Sequence, residues 1–277
     1  MIEIIHNHFQ CGHVRFAVFD FDGTLSLIRE GWQQAMAETM MAELLQTPNR
    51  ESAPALGAMV IGLITRTTGQ TASYQMAQLA EEVRKRGGQP QGPLIYKERY
   101  VKRLDERINS RVAAIKSGRA LPDEMMVPGS RAILEALTTR GVRCYLVSGA
   151  YEAGVLDESA ALQITPYFDG IYGAQDDPAL FSKKQFMERL VVENHLDRCE
   201  FISLGDGSIE IKEAKNLGGI AVGVASNEAT RIGIDAGKRD LLIRAGADII
   251  VPDFAEHEAL VAYLLDVKRY GHDRNHS

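Results

Sequence analysis

Five short, nearly continuous apolar runs limit what this chain can fold into. They are Val14–Phe19, Val142–Val147, Phe201–Leu204, Ile220–Ala225 and Asp248–Val251. Runs this brief, with little polar alternation, read as strands buried on both faces. Helical patterns separate most of them. One starts at Ser130, with Ile133, Leu134 and Leu137 on one face and Gly141 as its stop; others run over Lys183–Leu196 and Ile209–Leu217. Strands alternating with helices predict an α/β fold, a Rossmann-like parallel sheet covered on both sides. In such sheets ligands sit beyond the C-terminal ends of the strands.

The stretch from Ser26 to Val127 breaks this rhythm. It has no convincing strand, and its apolar residues repeat at helical spacing: Trp32, Ala35, Met36, Met40 and Leu44, then Leu79 and Val83, then Tyr96, Tyr100, Leu104 and Ile108. Gly and Pro at 87–93, at Pro122 and at Pro128-Gly129 punctuate it. The expectation is a core of residues 1–25 and 128–277 with an all-helical domain, 26–127, inserted after the first strand. Trp32, Tyr74, Tyr96 and Tyr100 are assigned to the core of that insert. The polar segment Thr65–Gln70 is read as a loop facing the cleft, with Arg66 as the candidate for substrate choice.

Composition narrows the function classes. The 277 residues are 45% apolar and 25% charged, with a net charge of −6, so no global basic field for nucleic acid exists. No apolar run reaches the roughly 18 residues that cross a bilayer. The N-terminal stretch is not read as a secretory signal, and the three cysteines, Cys11, Cys144 and Cys199, are not closely spaced. Together these predict a cytoplasmic protein that binds neither nucleic acid nor membrane; the oligomeric state is not encoded legibly.

Four pieces carry chemistry. The first strand ends in Phe19-Asp20-Phe21-Asp22-Gly23-Thr24, two carboxylates two residues apart, which a strand places on one side. Tyr145-Leu146-Val147-Ser148-Gly149 closes a second strand with a hydroxyl able to hold a phosphoryl oxygen. Lys183 or Lys184 opens a helix. Leu204-Gly205-Asp206-Gly207-Ser208-Ile209-Glu210 ends a further strand in an acid, with a second acid one helical turn on. Taken singly, each piece is explained by a turn, a cap or a surface lysine. All four lie at strand ends or the helix starts that follow, so one crevice can collect them. Like charges 4 Å apart repel by about 4 kcal/mol at an effective dielectric of 20. Four gathered acids therefore call for a cation, and oxygen ligands select a hard one such as Mg²⁺.

The order and spacing of these pieces resemble the haloacid dehalogenase superfamily, in the branch with a helical cap after the first motif. The resemblance runs from about Val14 to Leu265, and Phe168–Ala174 also looks like a segment of that family. It implies that Asp20 is the nucleophile, becoming transiently phosphorylated, and that Asp22 is the acid and then the base. It implies that Asp20, the backbone carbonyl of Asp22, Asp206 and Glu210 hold Mg²⁺, and that Thr24, Ser148, Gly149 and Lys183 or Lys184 hold the phosphoryl group. Glu210 stands where Asp is commoner. The carboxylate at Asp22 favours phosphate esters, since members that cleave phosphonates replace it. The function expected is a Mg²⁺-dependent phosphatase of a small phosphorylated metabolite such as a sugar phosphate. The alternatives are a phosphomutase on the same fold and, from another class, a non-catalytic binding protein.

Two weaker patterns are set aside. Gly233–Arg239 is one residue short of a nucleotide-binding P-loop and lacks its Ser or Thr, so it reads as a basic helix start. His6, His8, Cys11 and His13 lack the spacing of a closed zinc site and read as a polar extension, and Gly271–Ser277 as a loose tail.

Overall fold

A computed structural model of the chain describes residues 1–7, 13–68, 70–175 and 181–265. His8, Cys11 and the tail from Gly271 lie outside them. Seven strands form one sheet: β1 (Glu3–Ile4), β2 (Phe16–Phe19), β3 (Arg143–Tyr151), β4 (Phe168–Ala174), β5 (Phe201–Gly205), β6 (Ile220–Val224) and β7 (Ile249–Val251). Their spatial order is β1-β7-β6-β5-β2-β3-β4, and every pairing is parallel except β1 with β7. The five apolar runs each supply a strand. The Phe168–Ala174 segment adds β4, whose glycines and half-buried positions hide it from a search for apolar runs. The edge strand β1 is too short to show in the sequence.

Helices α5 (Ser130–Thr139), α6 (Glu152–Ala161), α7 (Lys183–Glu193), α8 (Ser208–Asn216), α9 (Ala236–Ala245) and α10 (His257–Leu265) cover the two faces. The apolar side chains accordingly fall into two clusters. One is built on Ala17, Phe19, Leu146, Ile202 and Leu204 with α5 and α10. The other is built on Phe16, Val18, Tyr145 and Phe201 with α7, α8 and α9. Alternate residues of one strand feed opposite clusters, the period-two signature of a sheet covered on both sides.

Between β2 and α5 stand α1 (Trp32–Leu44), α2 (Ala53–Thr67), α3 (Ala72–Lys85) and α4 (Pro93–Lys116). The chain leaves and returns along two adjacent connectors: Ser26 bridges Met126, Leu27 N–H donates to Met125 O at 2.9 Å, and Val127 N–H donates to Leu25 O at 3.0 Å. Arg111 of α4 donates to the carbonyls of Leu27, Ile28 and Glu30, fixing the outgoing connector. Buried Met36, Met40, Leu56, Val60, Met76, Leu79, Tyr96 and Leu104 pack the helices together, and their cluster is continuous with the sheet's. Helix α2 carries apolar residues on much of its surface, so periodicity does not mark it. Among the described residues no helix is long and apolar enough to cross a membrane.

Candidate functional site

The centre of the sheet positions the site. β2 lies between β5 and β3, and Phe19 is level with both Leu204 and Leu146. The residues that follow these levels, Asp20 after β2, Asp206 after β5 and Ser148 on β3, therefore emerge side by side at one end of the sheet. All three line a cavity of about 270 Å³ between the sheet and the helical insert. β3 runs on past Val147 to Tyr151, so Ser148 and Gly149 lie within the strand rather than at its end, where the pairing to β4 breaks register. The Ser148 hydroxyl accepts from Ala150 N–H at 3.1 Å.

Four carboxylates and two ammonium groups meet at the floor. One carboxylate oxygen each from Asp20, Asp206 and Glu210 lies within 4.8 Å of the others, and all three residues are buried. Lys183 Nζ is 2.7 Å from Asp20 Oδ1 and 3.3 Å from Glu210 Oε2. Lys238 Nζ is 2.7 Å from Asp206 Oδ2 and 2.7 Å from Glu228 Oε1. If all ionise, four negative charges face two positive ones, a deficit that one divalent cation would match. The donors are all oxygens, the set that suits a hard ion. Gly23 makes the crowding possible. At φ +72°, a Cβ there would overlap Asp206 Oδ2, so only glycine lets the loop after Asp20 pass this close.

Burial sets the protonation tendencies. It pushes the Asp20 carboxyl well above the usual range against the pull of Lys183, with Glu210 and Asp206 adding repulsion. Asp206 is raised by burial against Lys238, with Glu228 and Glu210 reinforcing the rise. Burial alone would lower the Lys183 ammonium, but Asp20 and Glu210 together hold it above its usual range. Glu210 ends lowered: burial opposes ionisation, yet Lys183 and two backbone N–H groups outweigh it. Glu210 Oε1 accepts from Gly207 N–H at 2.7 Å, so this side chain caps α8 while its other oxygen takes Lys183.

Asp22 also lines the cavity, but its carboxylate is outside the cluster, leaving only its backbone carbonyl for the metal role the resemblance implies. Its Oδ1 is buried without a hydrogen bond among the described residues, and Arg29 Nε stands 3.6 Å away. Burial raises its pKa to about 7, with Arg29 opposing and Glu158 reinforcing. Arg29 is held from behind by Glu158 of α6 through Nε to Oε2, at 3.0 Å, and Nη2 to Oε1.

These raised carboxyls predict an inverted pH response in chelator-treated protein. Asp20, Asp22 and Asp206 bind protons more tightly folded than unfolded. Their contribution is therefore full below the unfolded value near 4 and fades as pH rises, for Asp22 through about 7. Glu210 acts in the opposite sense, but its effect is complete once pH exceeds its unfolded value. The melting temperature in EDTA should fall between pH 5 and pH 8, and Asp22→Asn should flatten that fall. An unaltered slope in the variant would remove Asp22 from the effect.

Several expectations require correction. Lys183, not Lys184, enters the site. Lys184 is 58% exposed and reaches towards Glu188 on the outside of α7. Thr24 is wholly buried, its hydroxyl without a hydrogen-bond partner among the described residues, and does not line the cavity. Arg66 is not in a loop but in the last turn of α2, exposed and away from the cavity. The wall is made instead by the residues after it, Thr68, Gln70, Thr71 and Ser73. Tyr96 and Tyr100 are insert core, Tyr100 reaching the cavity as well, whereas Trp32 is half-buried and lines the cavity and Tyr74 is exposed. Arg29, Glu158, Glu228 and Lys238 escaped the sequence reading. Lys238 belongs to the rejected Gly233–Arg239 pattern, where its position at the start of α9 was the signal available.

A doubly covered, mostly parallel sheet, with acids and lysines at its central strand ends beneath a helical insert, defines a Rossmann-like α/β protein with a charged site over the middle of its sheet. The chain belongs to the haloacid dehalogenase-like hydrolase family, whose profile matches residues 17–224. No curated protein matches the sequence significantly. Among solved structures, the chain is similar to a phosphonoacetaldehyde hydrolase-like protein from Oleispira antarctica, at 16% identity over 95% of this chain and 96% of that one, with a TM-score of 0.62. It is similar to a predicted phosphoglycolate phosphatase from Haemophilus somnus, at 17% identity over 92% and 100%, TM-score 0.59. It is also similar to a provisional β-phosphoglucomutase from Thermotoga maritima, at 16% identity over 89% and 98%, TM-score 0.53. At these identities the likeness is one of fold.

Proposed function

We propose that the protein is a Mg²⁺-dependent phosphatase of small phosphomonoesters, working through a phosphorylated Asp20. The observation that carries this reading is the buried meeting of Asp20 with Asp206, Glu210 and Lys183 at the cavity floor, with Asp22 beside them and outside their cluster. Asp20, Asp206 and the backbone carbonyl of Asp22 would hold the metal, with Glu210 next to them. The ion, when bound, supplies charge neutralisation for the phosphoryl oxygens.

An Asp20 oxygen attacks phosphorus and the ester P–O bond breaks. Asp22 gives its proton to the departing alkoxide, then takes one from water as the water oxygen attacks phosphorus. The Asp20–phosphorus bond then breaks and inorganic phosphate leaves. A pKa near 7 suits a group that must act in both senses. Lys183 keeps Asp20 oriented and helps neutralise the incoming group, and Ser148 offers a hydroxyl to a phosphoryl oxygen.

We read residues 26–127 as a cap that closes over this floor, excludes water and chooses the leaving group. The cysteine-poor sequence and the absence of a spanning helix among the described residues suit a cytoplasmic metabolite phosphatase.

Turnover of p-nitrophenyl phosphate is the direct test. Phosphate release should appear with Mg²⁺ and vanish with EDTA. No release at any metal concentration would favour a binding protein, and a requirement for a sugar bisphosphate with little free phosphate would favour a mutase.

A further inference from the structure

Resting on the phosphatase reading, we propose that the pocket beyond Asp22 is built for an uncharged, polyhydroxylated leaving group and against one that carries a carboxylate. The carrying observation is the Arg29–Glu158 pair. Arg29 lies in the connector to the insert and lines the cavity next to Asp22, its side chain only 15% exposed. An arginine in this place is at first sight an anion clamp. Its fork, however, is already filled: Nε and Nη2 both donate to Glu158, whose side chain is 2% exposed. The fit is made by Gly154 of α6, where a Cβ would stand 2.7 Å from Arg29 Nη2. A guanidinium compensated by a buried carboxylate has N–H groups left to give but little net charge to offer.

The rest of the wall keeps this balance. The insert contributes Trp32, Gln70, Ser73, Lys97 and Asp105 to the cavity. Asp22 and Asp105 face the two cations Arg29 and Lys97 across the cavity, while Glu158 stays buried behind Arg29. An entering carboxylate would meet Asp22 and Asp105 and could not take Arg29 from its buried partner Glu158 without cost. Hydroxyls suit the same wall: they donate to Asp105 and accept from Arg29, Lys97 and Gln70, while the Trp32 ring offers a flat apolar face to C–H groups. A quaternary ammonium has no N–H to give to Asp105 and meets as many cations as carboxylates on this wall.

The test compares kcat/KM for sorbitol 6-phosphate, 2-phosphoglycolate and phosphocholine, with p-nitrophenyl phosphate as a reference, in the wild type, Glu158→Gln and Asp105→Lys. The wild type should prefer the polyol ester by about tenfold or more over both others, as expected when a pocket's polar groups pair with substrate hydroxyls. Glu158→Gln frees the Arg29 fork and should shift the ratio towards 2-phosphoglycolate. Asp105→Lys, an exposed change that spares the core, should shift it the same way. Equal or better use of 2-phosphoglycolate or phosphocholine by the wild type would overturn the proposal. So would an unchanged ratio in a folded Glu158→Gln and in Asp105→Lys. Failure on every ester, p-nitrophenyl phosphate included, would instead overturn the phosphatase reading beneath it.

Discussion

Asp20→Asn should lower phosphate release from p-nitrophenyl phosphate by about 10⁴-fold or more, leaving the fold intact. The variant keeps the volume of the side chain but has no oxygen nucleophilic enough to attack phosphorus, and removal of a nucleophile costs on this scale in other covalent enzymes. Structural damage is not expected. Asp20 sits among Asp206 and Glu210, and burial already disfavours its charge, so asparagine relieves repulsion even as it weakens the hold on Lys183. In EDTA the variant should melt no lower than wild type, measured by circular dichroism beside the phosphate assay. Near-wild-type hydrolysis by a properly folded variant would remove the nucleophile assignment.

Lys183→Met should be the most damaging single change to stability among the floor residues, by about 3–5 kcal/mol in urea denaturation without metal, because truncating one member of a buried ion pair leaves the others uncompensated. Lys183 is 4% exposed and bonded to both Asp20 and Glu210, so methionine fills the space and deletes only the charge. Mg²⁺ should restore part of the loss by supplying positive charge to the same carboxylates, while turnover stays low. Lys184→Met, one residue on and exposed, is the control and should be close to neutral. An unchanged urea midpoint for Lys183→Met would show that the two carboxylates do not depend on this ammonium.

What the sequence reveals of this molecule follows from which forces are local. Each core strand is a dense apolar run because both its faces are covered, so β2, β5 and β6 stand out on inspection. Asp20 and Asp206 are legible because they close such runs, and Asp22 and Glu210 because they stand at fixed spacing just beyond them. β4 has no such density, and its two glycines weaken the strand signal. Arg29 and Glu158 pair across 129 positions of the chain, and Glu228 and Lys238, 10 positions apart, meet only across a loop. A lone arginine or lysine in a sequence carries no mark of the carboxylate it will meet. Arg66 shows the complementary error: the polar segment does face the cavity, but α2 continues one turn further than its composition suggests and rotates that side chain outward. The choice between Lys183 and Lys184 depended on the rotation of α7. Burial of Phe186, Met187 and Leu190 turns Lys183 inward with them.

The neighbouring connectors through Ser26 and Met126, held by a pair of backbone hydrogen bonds, have a consequence for how such proteins diversify. Departure and return share one small doorway, so a helical module of any length is spliced in without lengthening or reordering the strands that carry the acids. Natural variation can then redraw the chamber above Asp22 while the reacting groups beneath stay where they are. A chimera joined at this doorway should exchange selectivity as a cassette, provided the incoming helices bring an apolar underside matching the patch the old ones covered.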